Sequence, residues 1–204
     1  MKSELIKNAV DVLRSGGVII YPTETLYGLG VDATNEIAVN KVFELKKRDK
    51  KKPILVAFHR VDEAKKYVKW NEYADVLAKK FLPGPLSIIL EVKENIFPVG
   101  IVSDENKVGI RIPDHELVLD IISEFGKPIT STSANISGGI SPWKVEYIPK
   151  EIKEGVELII DTGECEFKKG STLVDVSGRY PIILREDTIP REKIFDVLDG
   201  VAGI

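Results

Sequence analysis

The sequence predicts a single α/β domain over residues 1–204, built on a twisted mixed β-sheet flanked by helices. Helix-like and strand-like segments alternate through the first two thirds, whereas strand-like runs cluster in the last third. That change of pattern favours a mixed sheet over a purely parallel one. A chain of 204 residues with 43% hydrophobic content is also long enough to bury one sizeable core. No repeat, low-complexity tract or linker divides it.

The elements follow in order. Leu5, Ile6, Ala9, Val10 and Leu13 recur at helical spacing, and Gly16-Gly17 supplies a stop. Residues 18–21 then read as a buried strand. Asn35 is a good cap for a second helix, carrying Ile37, Ala38, Val42, Phe43 and Leu45, which runs into the basic stretch "KKRDKKK" and ends by Pro53. "ILVAF" is the next strand, and "VDEAKKYV" and "EYADVLAKKF" are two helical patterns before the turn "LPGP". "LSIILEV" and "VGIRIP" have strand character, and "HELVLDIISEFG" is a helix with Asp114 as its expected cap and Gly126 as its stop. "KPITSTSANISGG" passes from an extended segment into a loop of small hydroxyl residues. "VELIID", "STLVDV" and "PIILRE" complete the strands, and a helix over about residues 190–198 closes the chain.

Composition excludes several function classes. A net charge of -3 conceals 29 basic and 32 acidic residues, so any attraction to an anion must be local. One cysteine, Cys165, rules out an internal disulfide framework or Cys-rich metal cluster and fits a reducing compartment. The amino-terminal stretch lacks a signal-peptide core, and no run approaches the ~20 apolar residues of a membrane span. A soluble, cytoplasmic protein with no membrane partner is expected.

Familiar catalytic signatures are missing. There is no P-loop, no G-x-G-x-x-G after a strand and no G-x-S-x-G elbow, and neither His59 nor His115 sits in a metal-ligand pattern. What remains is cations and hydroxyls. Lys46, Arg48 and Lys52 at a helix end suit a polyphosphate if the following loop folds back; otherwise they are a solvated end complementing the helix dipole. Arg111 interrupts an apolar strand, so it either faces solvent or lines a cleft. Arg185 emerges similarly after "PIIL". "STSANISG" alternates Ser131, Ser133, Asn135 and Ser137, which is either an ordinary turn or a lining that donates to phosphate or carboxylate.

Taken together, "GGVIIYPTETLYGLG", K-x-R-x-x-x-K-P, "PGPLSIIL", "VGIRIPDH", "TSANISGGISP", "GSTLVDVSG" and "ILRE" resemble the YrdC-like threonylcarbamoyl-AMP synthases over nearly the whole chain, in their short, single-domain form. The resemblance implies a YrdC-like fold. It also implies condensation of L-threonine, bicarbonate or carbon dioxide, and ATP into threonylcarbamoyl-adenylate and pyrophosphate, for threonylcarbamoyladenosine in tRNA. Mg2+ would be bound mainly through the ATP phosphates, with no protein metal site and no acid, base or nucleophile. Downstream partners would be a threonylcarbamoyl transferase complex and tRNA.

Carried over by position, Thr25, Arg111, Ser131 and Ser171 belong to the threonine site. Lys46, Arg48, Lys52, Lys107, Ser133, Asn135, Ser141 and Arg185 belong to the ATP site. Three positions depart from the family pattern: Ala57 where many members have histidine, Ser87 in "PGPLS", and Asp187 in "RED". The alternative reading is an RNA-binding module of the same fold, suggested by "KKRDKKK"; it lacks interleaved aromatics for base stacking.

Overall fold

The computed structural model describes residues 2–94 and 96–201. Helix α1 (Lys2–Arg14) leads through the glycine pair into β1 (Ile19–Tyr21), which pairs antiparallel with β2 (Gly28–Gly30). The sequence reading had no strand at β2, because "GLG" carries little β propensity. Its glycines make room for a ring. A methyl group on Gly30 would stand 2.9 Å from a Tyr21 ring carbon, and one on Gly28 would stand 3.2 Å away. Tyr21 is fully buried and donates its hydroxyl to the Thr130 carbonyl at 2.9 Å. Gly30→Ala is therefore expected to overpack this site and cost about 1–3 kcal/mol, read as a fall in denaturant midpoint with an unchanged m-value.

Helix α2 (Glu36–Lys46) begins as expected, with the Asn35 side chain accepting from the Ile37 and Ala38 amides. It ends earlier than the basic run suggested. Lys47 adopts a left-handed conformation (φ 49°), and its amide returns to the Glu44 carbonyl, so the chain leaves the helix six residues before Pro53. After β3 (Leu55–Ala57), the pattern "VDEAKKYV" yields only the single turn α3 (Val61–Ala64), followed by the longer α4 (Glu72–Phe81). Strands β4 (Leu86–Glu91) and β5 (Lys107–Arg111) precede α5 (Glu116–Phe125). Here His115, not Asp114, occupies the cap position. The Asp114 amide is instead drawn to the Glu24 carboxylate at 3.2 Å.

Strand β6 (Ile129–Ser133) leads into the hydroxyl-rich loop. A short helical turn (Val145–Tyr147) and α6 (Lys150–Glu154), neither expected from the sequence, then precede β7 (Leu158–Ile159). Strands β8 (Thr172–Asp175) and β9 (Ile182–Arg185) and helix α7 (Arg191–Leu198) complete the described fold.

The strands form one sheet in the order β7-β1-β2-β6-β3-β5-β4-β8-β9. The β1–β7, β3–β5 and β4–β8 pairs are parallel and the others antiparallel, which is the mixed arrangement that the sequence predicts. Apolar side chains divide between two clusters. Ile19 and Tyr21 join Ala9, Leu13, Val118 and Phe125 under α1 and α5, whereas Val18 and Ile20 join the larger cluster with Val42, Phe43 and Leu77 under α2 and α4. Alternate residues of β1 thus serve opposite faces, and helices cover both. Among the described residues, no helix is long and apolar enough to cross a membrane.

Candidate active site

Five segments distant in sequence converge on a cleft of about 600 Å³. The loop after β1 supplies Thr23 and Thr25, β3 starts at its edge beyond Pro53, and β6 contributes Ser131 and Ser133. Arg111 enters from the end of β5, and Ser171 and Arg185 come from the β8–β9 side. Leu55 of β3 pairs in register with Ser131 of β6, and Ala57 with Arg111 of β5. Neighbouring strands thereby bring the serine and the arginine to one sheet region.

Arg111 is the deepest cation of the cleft, only 5% exposed. Its NH2 donates to Glu24 Oε1 at 2.6 Å and its NH1 to Thr25 Oγ1 at 3.1 Å. Thr25 is itself held by Thr23, whose hydroxyl lies 2.7 Å from its own and caps the Thr25 and Leu26 amides. Of the two readings open for Arg111, the cleft-lining one holds. Its buried charge is balanced by the equally buried Glu24, a residue the sequence reading passed over. The pattern P-T-E-T contained that signal: an acid amid hydroxyls at a buried strand exit requires a cation.

The other wall carries Arg48 and Arg185. Arg48 Nε and NH2 donate to the Lys52 and Pro53 carbonyls at 2.8 and 3.1 Å, so the loop after α2 folds back around it. Arg185 grips the Ser171 carbonyl with Nε and NH2 at 3.0 and 2.9 Å. Burial, then the neighbouring Arg185 charge, lowers the proton affinity of Arg48. Desolvation also lowers that of Arg185, with Asp187 acting in the opposite direction. Two cations near enough on one wall for the charge of Arg185 to lower the proton affinity of Arg48 make a receptor for an anion, with Asp187 of the same cleft offsetting part of the charge on Arg185. The Ser171 hydroxyl is oriented by Ser87, 2.7 Å away, so the hydroxyl retained in "PGPLS" is structurally used.

Thr25, Arg48, Arg111, Ser131, Ser133, Ser141, Ser171 and Arg185 line the cleft, and four expected residues do not. Lys46 was expected to face phosphates. It is 1% exposed, and its ammonium points beneath the loop after β6, to the carbonyls of Ser133 and Asn135 and to Asn135 Oδ1. Burial, aided by Arg48, pushes its pKa down to about 7, while the oxygen acceptors favour the charged form. Asn135 is buried in the same loop, receiving the Ser133 hydroxyl at 2.5 Å and donating to the Gly139 carbonyl at 2.7 Å. Lys52 is exposed and reaches the site only through its carbonyl. Lys107 stands at the opposite end of β5 from Arg111, paired with Glu105 at 2.5 Å and Asp175 at 3.3 Å. Helical twist and strand length, which spacing alone does not display, separate these lysines from the cleft.

Lys168 and Lys169 do line it, on the segment before "GSTLVD" that sequence reasoning left unassigned. Lys168 is committed to Glu164 at 2.5 Å and stacks over Trp143. Ala57, fully buried in the cluster under α1 and α5, has no ring to extend toward Arg111. Cys165 is a packed thiol whose pKa burial pushes up to about 11. Among the described residues, no group of three or more His, Cys, Asp or Glu side chains is placed to hold a metal ion.

A family model described as telomere recombination, embracing Sua5, YciO and YrdC, matches residues 11–187. The chain belongs to this family. It is 40% identical over 180 residues to a Methanocaldococcus jannaschii protein provisionally named threonylcarbamoyl-AMP synthase, covering 88% of this chain and 84% of that one. It is 36% identical to the threonylcarbamoyl-AMP synthase of Pyrococcus abyssi, covering 96% of this chain but 58% of that protein. The crystal structure of Pyrococcus abyssi Sua5 complexed with L-threonine superposes with a TM-score of 0.90 at 35% identity, over 95% of this chain and 57% of that one. The chain thus spans most of one relative and just over half of the other. This homology supports an enzyme of the nucleotidyltransferase type with the YrdC fold.

Proposed function

We propose that the chain acts as one catalytic domain that joins L-threonine, bicarbonate or carbon dioxide, and ATP into threonylcarbamoyl-adenylate, releasing pyrophosphate. The observation that carries this reading is the cleft's division of labour. One buried, hydroxyl-flanked guanidinium sits at its floor, and two guanidiniums stand close together on its wall. Threonine bound to the similar Pyrococcus protein supports placing the amino acid with Thr25, Arg111, Ser131 and Ser171. Arg48 and Arg185, with Ser133 and Ser141, then serve the nucleotide. Lys46 and Asn135 act on it through the loop they shape, and Lys52 through the carbonyl that fixes Arg48. Lys107 has no contact with the cleft.

The chemistry suits such a site. The threonine amine adds to carbon dioxide and loses a proton, giving a carbamate. A carbamate oxygen then attacks the α-phosphorus of ATP, and pyrophosphate departs. The enzyme must bring two anions together and offset the charge that develops, which preorganised arginines and amide or hydroxyl donors accomplish. Mg2+ fits as an ion carried mainly by phosphates and water, and when bound it supplies further charge neutralisation. The product is proposed to pass, in the cytoplasm, to a threonylcarbamoyl transferase complex acting on tRNA.

Pyrophosphate release is expected to require L-threonine, to fall without it or with L-serine, and to accompany a threonylcarbamoyl-adenylate mass. Arg48→Ala and Arg185→Ala should each raise the ATP KM about tenfold while leaving the threonine KM within about threefold, as loss of one charge-assisted contact predicts. Threonine-independent release, together with RNA binding that collapses in salt, would instead favour a nucleic-acid module.

A further inference from the structure

We infer that Glu24 is a positioning residue for amino-acid recognition, acting through Arg111. This rests on the threonine assignment above and adds to it a group with no direct substrate role. Glu24 is 5% exposed and does not line the cleft. Its carboxylate is held from two elements: Arg111 NH2 donates to Oε1 at 2.6 Å, and the Asp114 amide, at the approach to α5, donates to Oε2 at 3.2 Å. Its carbonyl accepts from the Phe167 amide at 2.9 Å, tying it to the segment that carries Lys168 and Lys169. Thr25 takes NH1, so the guanidinium is fixed at two of its nitrogens while Nε is buried with no partner among the described residues.

Arg111 lines the cleft, and the NH1 and NH2 hydrogens not used by Thr25 and Glu24 are the donors left to it, for which a ligand carboxylate is the fitting acceptor. Glu24 does more than cancel charge. It fixes the rotation of Arg111 so that the remaining donors keep one orientation, and a neutral ion pair gives a polyphosphate less reason than a free guanidinium to occupy the amino-acid pocket.

The test is a double-mutant cycle on threonine binding and steady-state turnover. Glu24→Ala is expected to raise the threonine KM at least tenfold, with the ATP KM within twofold. Glu24→Gln, which keeps an acceptor for Arg111, should fall between, at threefold or more. In an Arg111→Lys background, Glu24→Gln should change threonine affinity by less than twofold, because the group it positions is gone. Unchanged threonine affinity in Glu24→Gln, equal rises in both KM values, or a full Glu24→Gln effect without Arg111 would each overturn the inference. Calorimetry with threonine separates this from the proposed function. Wild-type protein that binds threonine yet releases no pyrophosphate sinks the synthase reading alone, whereas a Glu24 variant that binds like wild type sinks this one alone.

Discussion

Arg111→Ala is expected to raise the threonine requirement about thirtyfold or more, the equivalent of about 2 kcal/mol of lost charge-assisted binding. It should also destabilise the fold by about 3–5 kcal/mol, because it leaves the Glu24 carboxylate buried without its cation. The two losses are separable. In Arg111→Met/Glu24→Met, an apolar pair of similar volume replaces the ion pair, so stability should return towards wild type while threonine use stays lost. Chemical denaturation of the single and double variants, beside threonine and ATP titrations, checks both halves. A double variant that regained threonine use would show that Arg111 is structural only.

Lys46→Met carries the second large effect, although this side chain never enters the cleft. Removing the ammonium strands the Asn135 carbonyl, leaves the Ser133 carbonyl with only the Asn135 amide as donor, and weakens the hold on Asn135 Oδ1. Each buried acceptor left unpaired costs about 1–3 kcal/mol, and relief from burying a charge offsets part of this, leaving a net loss of about 2 kcal/mol. Because Ser133 and Ser141 flank this loop in the cleft, the ATP KM should rise about tenfold. Hydrogen exchange should accelerate across residues 133–139 and not in α4. An unchanged ATP KM with a loosened loop would show that the loop does not serve the nucleotide.

Much of this was legible in the sequence, for reasons that differ between segments. Periodicity located α1, α4 and α5, and β-branched runs located β4 and β5, because burial imposes those patterns directly. β2 was hidden, since its glycines answer the Tyr21 ring on the neighbouring strand, before the turn, not a strand propensity. The cap of α5 was misplaced because Asp114 offers its amide to Glu24, a residue 90 positions away. At the site, hydroxyls and arginines were recognisable by type and order. The turning inward of Lys46, the partnership of Glu24 with Arg111 and the arrival of Lys169 at the cleft are products of long-range packing, and no local spacing encodes them.

The strand order has a consequence for how the protein comes to be made. β2 must wait for β6 before it gains its second neighbour, and β4 waits for β8. The floor arginine leaves the ribosome well before Ser171 and Arg185, which complete the wall. A growing chain therefore carries no competent pocket until its last strands are synthesised, when loop-closure entropy has been overcome across most of its length. Closure of the cleft is thereby deferred to the finished sheet, and a chain terminated before β8 lacks the wall that Ser171 and Arg185 form.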